Sequence, residues 1–375
     1  MGIRMIASTV FFIVLVDGLA TGSPDALVTD FDCRPGMKHC GVCQQLISGS
    51  TGADALCSYK GVGHFVVNNF SMGPMDWLWP SAAPSYAVVS ESWGCVDDGA
   101  AFCDTTGNFR DHRGRVAREG RDGLGTVLIR PAGNGGPIDD CGADGFTQAI
   151  GTVVTTVTDY TRSERCAAVL VTVPPPNETV WYDGKCGFIP SSSSAAPPIL
   201  GNMLLALIRA HPTLTLRMIQ RILVRAAKPV TVTGWRGRGW WLNRVTDRWT
   251  HRNFGFGEVS PSRLEIEARR ELSTSRAPVA WSTLDACDLS EVEWVRVRLG
   301  IAPAVFRGGV TVEISSPSGT IIEILGKRPL DFSRDEFEGE FVTPLFWGEP
   351  GRGEWTVSCT GGVILTTEGT CHGIR

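Results

Sequence analysis

The sequence predicts an α/β domain with a parallel sheet and flanking helices, followed by a β-sandwich. Three observations lead there. Tyr86–Val89 and Gly125–Ile129 are short apolar runs ending in glycine-containing loops, as buried parallel strands with functional C-terminal ends do. Ile199–Ala227 carries apolar residues at helical spacing, interrupted near Pro212, which gives one helix and then a second. From Val292 onward apolar and polar residues alternate, with turn signals about every ten residues, the pattern of an antiparallel sandwich. At 375 residues the chain is long enough for two cores. The reading places them at 1–275 and 276–375, joined through a polar stretch, Glu265–Arg276.

Composition narrows the function. The net charge of −4 argues against nucleic acid or an anionic membrane as the main partner. The arginine-containing run Gly234–Trp241 reads as a solvated surface loop rather than an RNA patch. Twelve cysteines are many for a cytosolic domain, and the one CxxC, Cys40 with Cys43, lacks the second half of a zinc site. Two glycosylation sequons, Asn69-Phe-Ser and Asn177-Glu-Thr, add to an oxidising, secretory context. Ile6–Val16 reads either as the apolar core of a signal peptide behind Arg4 or as a buried parallel strand. No stretch near the C-terminus is long and apolar enough to span a membrane.

Two short blocks carry chemistry. Pro131–Gly145 reads PAGNGGPIDDCGADG, which sets the side-chain amide of Asn134 on a permissive glycine turn. Ser191–Pro197 reads SSSSAAP and precedes the first predicted helix, where backbone N–H groups converge and the helix dipole is positive. A GNGG turn alone is common, and a serine run alone is usually a linker. Taken together they supply a nucleophile and an oxyanion hole, with one donor from Asn134 and another from the backbone at Ser193.

A third set of blocks lies downstream: SSPSGT (Ser315–Thr320), LGKRPLD (Leu325–Asp331) and FWGEPGRGEWTV (Phe346–Val357). In this order the blocks resemble the kexin/furin proprotein convertases, the branch of the subtilisin-like serine proteases that carries a β-sandwich P domain after its catalytic domain. The resemblance runs from about residue 10 to 358 and is strongest after Ser92. It implies a subtilisin-like parallel sheet with flanking helices, then the P domain. VDGLATGSPDAL (Val16–Leu27) resembles the family's first catalytic block, which favours the strand reading of the N-terminal run.

The resemblance also implies roles. Pro197 sets the register that makes Ser193 the nucleophile, with Ser191 and Ser192 where the family has Gly and Thr. His39, in Lys38-His39-Cys40-Gly41-Val42-Cys43, falls on the catalytic histidine. The family's aspartate position holds Val16, and Asp17 stands one residue later, before Gly18, so Asp17 is the candidate third member of the triad. Asn134 falls on the oxyanion donor. Ser92-Trp93-Gly94 and Asp97 resemble the substrate-binding block, and Asp97 with Asp144 would floor a pocket for Lys or Arg. Asp97, Asp139 and Glu164 fall on acidic ligands of a Ca²⁺. Cys141–Cys166 and Cys57–Cys186 correspond to family disulfides, and Cys43 to an unpaired cysteine. Cys33, Cys40, Cys95 and Cys103 have no counterpart and are free to form extra bridges. The expected function is a serine endopeptidase of the secretory pathway (Golgi) or secreted. It would cut precursor proteins after basic residues, its partners being protein or peptide substrates. The alternative is a catalytically impaired relative that binds basic peptides or a partner protein.

Overall fold

Seven strands form the central sheet in the spatial order β2-β3-β1-β4-β5-β6-β7: β1 Ile13–Val16, β2 Asp54–Leu56, β3 His64–Val67, β4 Val88–Glu91, β5 Val127–Pro131, β6 Thr152–Val157 and β7 Val169–Val173. The computed structural model describes residues 86–274 and 287–374, except 93, 106, 159–161, 176–178, 183–184, 189–192 and 231–238. It also describes the strand segments 13–16, 42–43, 54–56, 64–67 and 282–284. Strands β4 to β7 are parallel, in register Val88↔Val127, Ile129↔Val153 and Thr155↔Val171. Their side chains are buried throughout, which is why these segments are mostly apolar and show no period-two alternation.

The N-terminal run does form a strand, but it pairs antiparallel with both β4 and β3, not parallel as the sequence reading had it. A short apolar run does not set its own direction, since parallel and antiparallel ladders differ in hydrogen-bond pattern and connection rather than in the side chains they carry.

Among the described residues four helices flank the sheet: α1 Gly107–Glu119, α2 Ala196–Ala210, α3 Leu216–Ala226 and α4 Pro261–Thr274. Leu200, Leu204 and Ile208 of α2 and Ile219, Ile222 and Leu223 of α3 recur at helical spacing and are fully buried against the sheet. Each such side chain contributes roughly 1.5–3 kcal/mol of hydrophobic stabilisation. Thr215 caps α3 by accepting a hydrogen bond from the Met218 N–H at 3.2 Å. The segment Glu265–Arg276, expected to be a polar connection, lies largely within α4. Leu264 and Ala268, four residues apart, pack into the core, and Glu271 one turn on is buried against Arg221 at 3.3 Å and Arg225. Its polarity reflects ion pairing with α3, which no local pattern displays.

After α4 the described elements are strands, apart from a 3₁₀ turn at Arg307–Gly309. One sheet has the order β8-β14-β9-β12, from Ser282–Leu284, Gly362–Ile374, Glu291–Pro303 and Phe337–Thr343. The other has the order β11-β10-β13, from Ile321–Leu325, Thr311–Ser315 and Thr356–Thr360. All pairings are antiparallel. The inner faces bury Val297, Leu299, Ile301, Val312, Ile314, Ile322 and Phe341, at alternate positions along their strands. Cys287–Cys371 closes this sandwich.

Candidate active site

The parallel strands place their C-terminal loops on one edge of the sheet, where open α/β sheets carry their chemistry. The loop after β4 holds Ser92, Gly94 and Asp97. The loop after β5 holds Asn134, Asp139 and Asp144, and the segment before β7 holds Glu164. Ser193 opens a 3₁₀ turn, Ser193–Ala195, that runs into α2 with Pro197 in its first turn.

The nucleophile candidate and the oxyanion candidate touch. Ser193 Oγ donates to Asn134 Oδ1 at 2.9 Å, and the Ser193 N–H donates to the same oxygen at 3.1 Å. On its other side Asn134 donates twice to Asp97 Oδ2, from its Nδ2 at 3.1 Å and from its backbone N–H at 2.9 Å. The amide is therefore turned with its oxygen toward Ser193. An oxyanion donor needs the opposite orientation, with Nδ2 facing the serine. Gly133 has φ +100°, and a Cβ there would lie 2.3 Å from Glu164 Oε1, so only glycine admits the turn that presents Asn134. Ser92, expected to contact substrate, is buried and donates to the Ser194 carbonyl at 2.8 Å, tying the end of β4 to the nucleophile turn.

Five carboxyl groups border one small cavity: Asp140, which Arg252 pairs, and four others, Asp97, Asp139, Asp144 and Glu164. Asp139 Oδ2 accepts from Gly99 N–H at 2.9 Å, Glu164 Oε1 from Gly135 N–H at 2.9 Å, and Asp144 from the N–H of Cys95 at 3.2 Å and of Phe146 at 2.8 Å. Desolvation raises all four above the usual carboxylate range. Asp139 reaches about 6, and Glu164 is pushed well up by burial and then by the charges of Asp97 and Asp139. Among the described residues no three or more acidic, His or Cys side chains are set closely enough to hold a metal ion. The donor chemistry of Asp97, Asp139 and Glu164 nonetheless suits a hard divalent cation, since hydrogen bonds from the backbone leave further carboxylate lone pairs free for one.

Disulfides brace both sides of the cavity. Cys141–Cys166 joins the Asp139 loop to the Glu164 segment, as expected. Cys95–Cys103, two of the cysteines without an assigned partner, closes the Asp97 loop on itself. Cys359 is a free thiol. Cys186 lies on the strand Lys185–Phe188, while Asp17, His39, Cys57 and Trp93 lie outside the described residues.

The sequence reading missed a second layer of charge beneath the cavity. Glu91, Arg113 and Arg130 are fully buried, with Arg130 Nη1 at 3.4 Å from Glu91 Oε2 and Arg113 in close contact with the same oxygen. Their one sequence signal is a charged residue in each of two apolar parallel strands, VVSE and VLIRP.

A family model for the proprotein convertase P-domain matches residues 292–367, the span of the β-sandwich. A curated protein named "Subtilisin-like protease", from Ictalurid herpesvirus 1 (strain Auburn), is 97% identical over 371 residues, 99% of this chain and 100% of that protein. The chain belongs to the subtilisin-like proteases. Proprotein convertase subtilisin/kexin type 6 of Rattus norvegicus is 30% identical over 324 residues, 73% of this chain but 33% of the convertase. This subtilisin-like protease thus spans about a third of that relative's length. A solved serine protease of Aeromonas sobria superposes with a TM-score of 0.61 at 15% identity, over 80% of this chain and 71% of that one, which agrees with the fold. No helix among the described residues of this subtilisin-like protease is long and apolar enough to cross a membrane.

Proposed function

We propose that this protein is a serine endopeptidase that cuts protein substrates of the secretory pathway after Lys or Arg. The observation that carries the reading is the meeting of Ser193 and Asn134 directly beside the Asp97 and Asp144 carboxyl groups. In this reading Ser193 Oγ attacks the scissile carbonyl, with His39 as base and Asp17 as its orienting acid. Asn134 turns its Nδ2 toward the developing oxyanion. That turn leaves its oxygen opposite Asp97, so Asp97 must carry a proton or face a cation. Asp97, Asp139 and Glu164 would hold Ca²⁺, which would supply the charge compensation their crowding calls for. Asp97 and Asp144 would receive the guanidinium or ammonium head of the residue before the cut.

The serine is the point of test. Ser193→Ala should abolish labelling by a fluorophosphonate, while Ser191→Ala leaves most of it, read by adduct mass. Equal labelling of both variants would contradict the Pro197 register. A second reading rests on Val16 at the family's aspartate position: a non-catalytic relative that binds basic peptides, which predicts no adduct in any form of the protein.

A further inference from the structure

Taking Asp97 and Asp144 as the floor acids of a basic-residue pocket, as proposed above, the two have different surroundings. Beneath Asp144 lie the buried charges of Glu91, Arg113 and Arg130. Both guanidinium groups reach a single oxygen of Glu91. One negative charge thus meets two positive ones. A Cβ built on Gly94 would stand 2.5 Å from Asp144 Oδ2 and 3.8 Å from Arg130 Nη2, so acid and base flank the same bare stretch of backbone. Arg130 is held there from the other side by the Phe146 ring, 5.4 Å below its guanidinium carbon. Its attraction is the main charge term acting on Asp144.

We propose that Arg130 is a specificity-determining residue. It is a built-in counter-cation that cancels most of the charge of Asp144, so the pocket separates a charged arginine from a neutral side chain of the same shape only weakly, with Asp97 supplying the remaining attraction. In a low-dielectric site a fixed positive charge a few ångströms from the guest head group offsets an attraction of similar size. Replacing Arg130 would uncover Asp144 without orphaning Glu91, which keeps Arg113, and Asp144 would keep its two backbone N–H donors.

The test uses the full chain carrying Ser193→Ala, so that binding is read without cleavage. The probes are two fluorescent peptides identical except for arginine or citrulline at the pocket position. The expected arginine-to-citrulline affinity ratio is below about tenfold with Arg130 present. With Arg130→Met it should rise by a further tenfold to a hundredfold, roughly, as an unscreened charge-assisted contact would give. Arg130→Lys should keep the low ratio. A ratio well above tenfold with Arg130 in place would overturn the proposal even if Arg130→Met failed to fold, and so would a ratio that Arg130→Met leaves unchanged. The two ways of failing are distinguishable. Strong arginine preference with or without Arg130 removes only the role given to Arg130. No preference in any variant removes the basic pocket as well.

Discussion

The cavity at the sheet edge and the seam between the α/β core and the sandwich handle buried charge in opposite ways. Along the seam buried carboxylates are paired with guanidinium groups, apart from Glu349, which accepts from Asn243 and Ser316 instead. Glu293 takes Arg217 at 2.8 Å, Asp331 takes Arg307 at 2.6 Å and also Arg328, and Asp140 takes Arg252. Hydrogen bonds complete the join, from Val342 N–H to Gln148 at 2.8 Å and from Thr343 to the Ala167 carbonyl at 2.7 Å. At the cavity, burial raises the proton affinity of Asp97, Asp139 and Glu164, Asp97 adds to that of Asp139 and both aspartates to that of Glu164, and Arg328 reaches Asp139 only at 3.9 Å. Matched charges join two layers of the protein. Unmatched ones, kept together by disulfides and backbone N–H groups, suit a cationic guest.

The largest effect expected from this contrast is on the seam. Arg217→Met should destabilise the protein by about 3–5 kcal/mol in chemical denaturation, because Glu293 is left buried without its partner. Arg217→Met with Glu293→Leu should recover most of that loss. If the single variant costs no more than a surface change, the seam is not organised by its ion pairs.

The seam should also be acid-sensitive. His372 is buried and its pKa is depressed to about 4 by desolvation and then by Arg296 and Arg118, the latter from α1. The unfolded chain takes up the proton near 6.5 and the folded one near 4, so stability is fully present above about 6.5 and is lost as pH falls toward 4. At about 1.4 kcal/mol per pKa unit the loss is up to about 3 kcal/mol. His372→Gln should flatten the slope of stability against pH in that window.

The cavity should respond to calcium instead. At a hundredfold excess over Kd, Ca²⁺ should raise wild-type stability by about 2.7 kcal/mol, and a chelator should reverse it. Glu164→Gln should abolish the response and, in chelator, should stabilise by about 1 kcal/mol by relieving repulsion. A destabilisation as large as that of Arg217→Met would break the comparison.

What was legible in the sequence was what short-range chemistry encodes. Asn134 between glycines, Ser193 ahead of a helix, and acids set around Cys141 and Cys166 all come together at one sheet edge as the motifs implied. Compensation was not legible, because it is made in three dimensions. Glu91, Arg113 and Arg130 stand on two strands and a helix, and no local pattern pairs them. Glu271 looked like linker polarity until α3 supplied Arg221 and Arg225. The direction of β1 likewise depends on how the chain returns to the sheet, not on the apolar run itself.

The central claim is that Ser193 and the acids beside it form one proteolytic site for basic residues. Its most direct measurement is a cleavage profile on a random peptide library in Ca²⁺, comparing the protein with its Ser193→Ala variant and reading the new C-termini by mass spectrometry. The account predicts cuts that vanish with Ser193→Ala and that fall after Arg or Lys more often than after neutral residues. Cuts indifferent to Ser193, or a Ser193-dependent profile with no excess of basic residues, would contradict it.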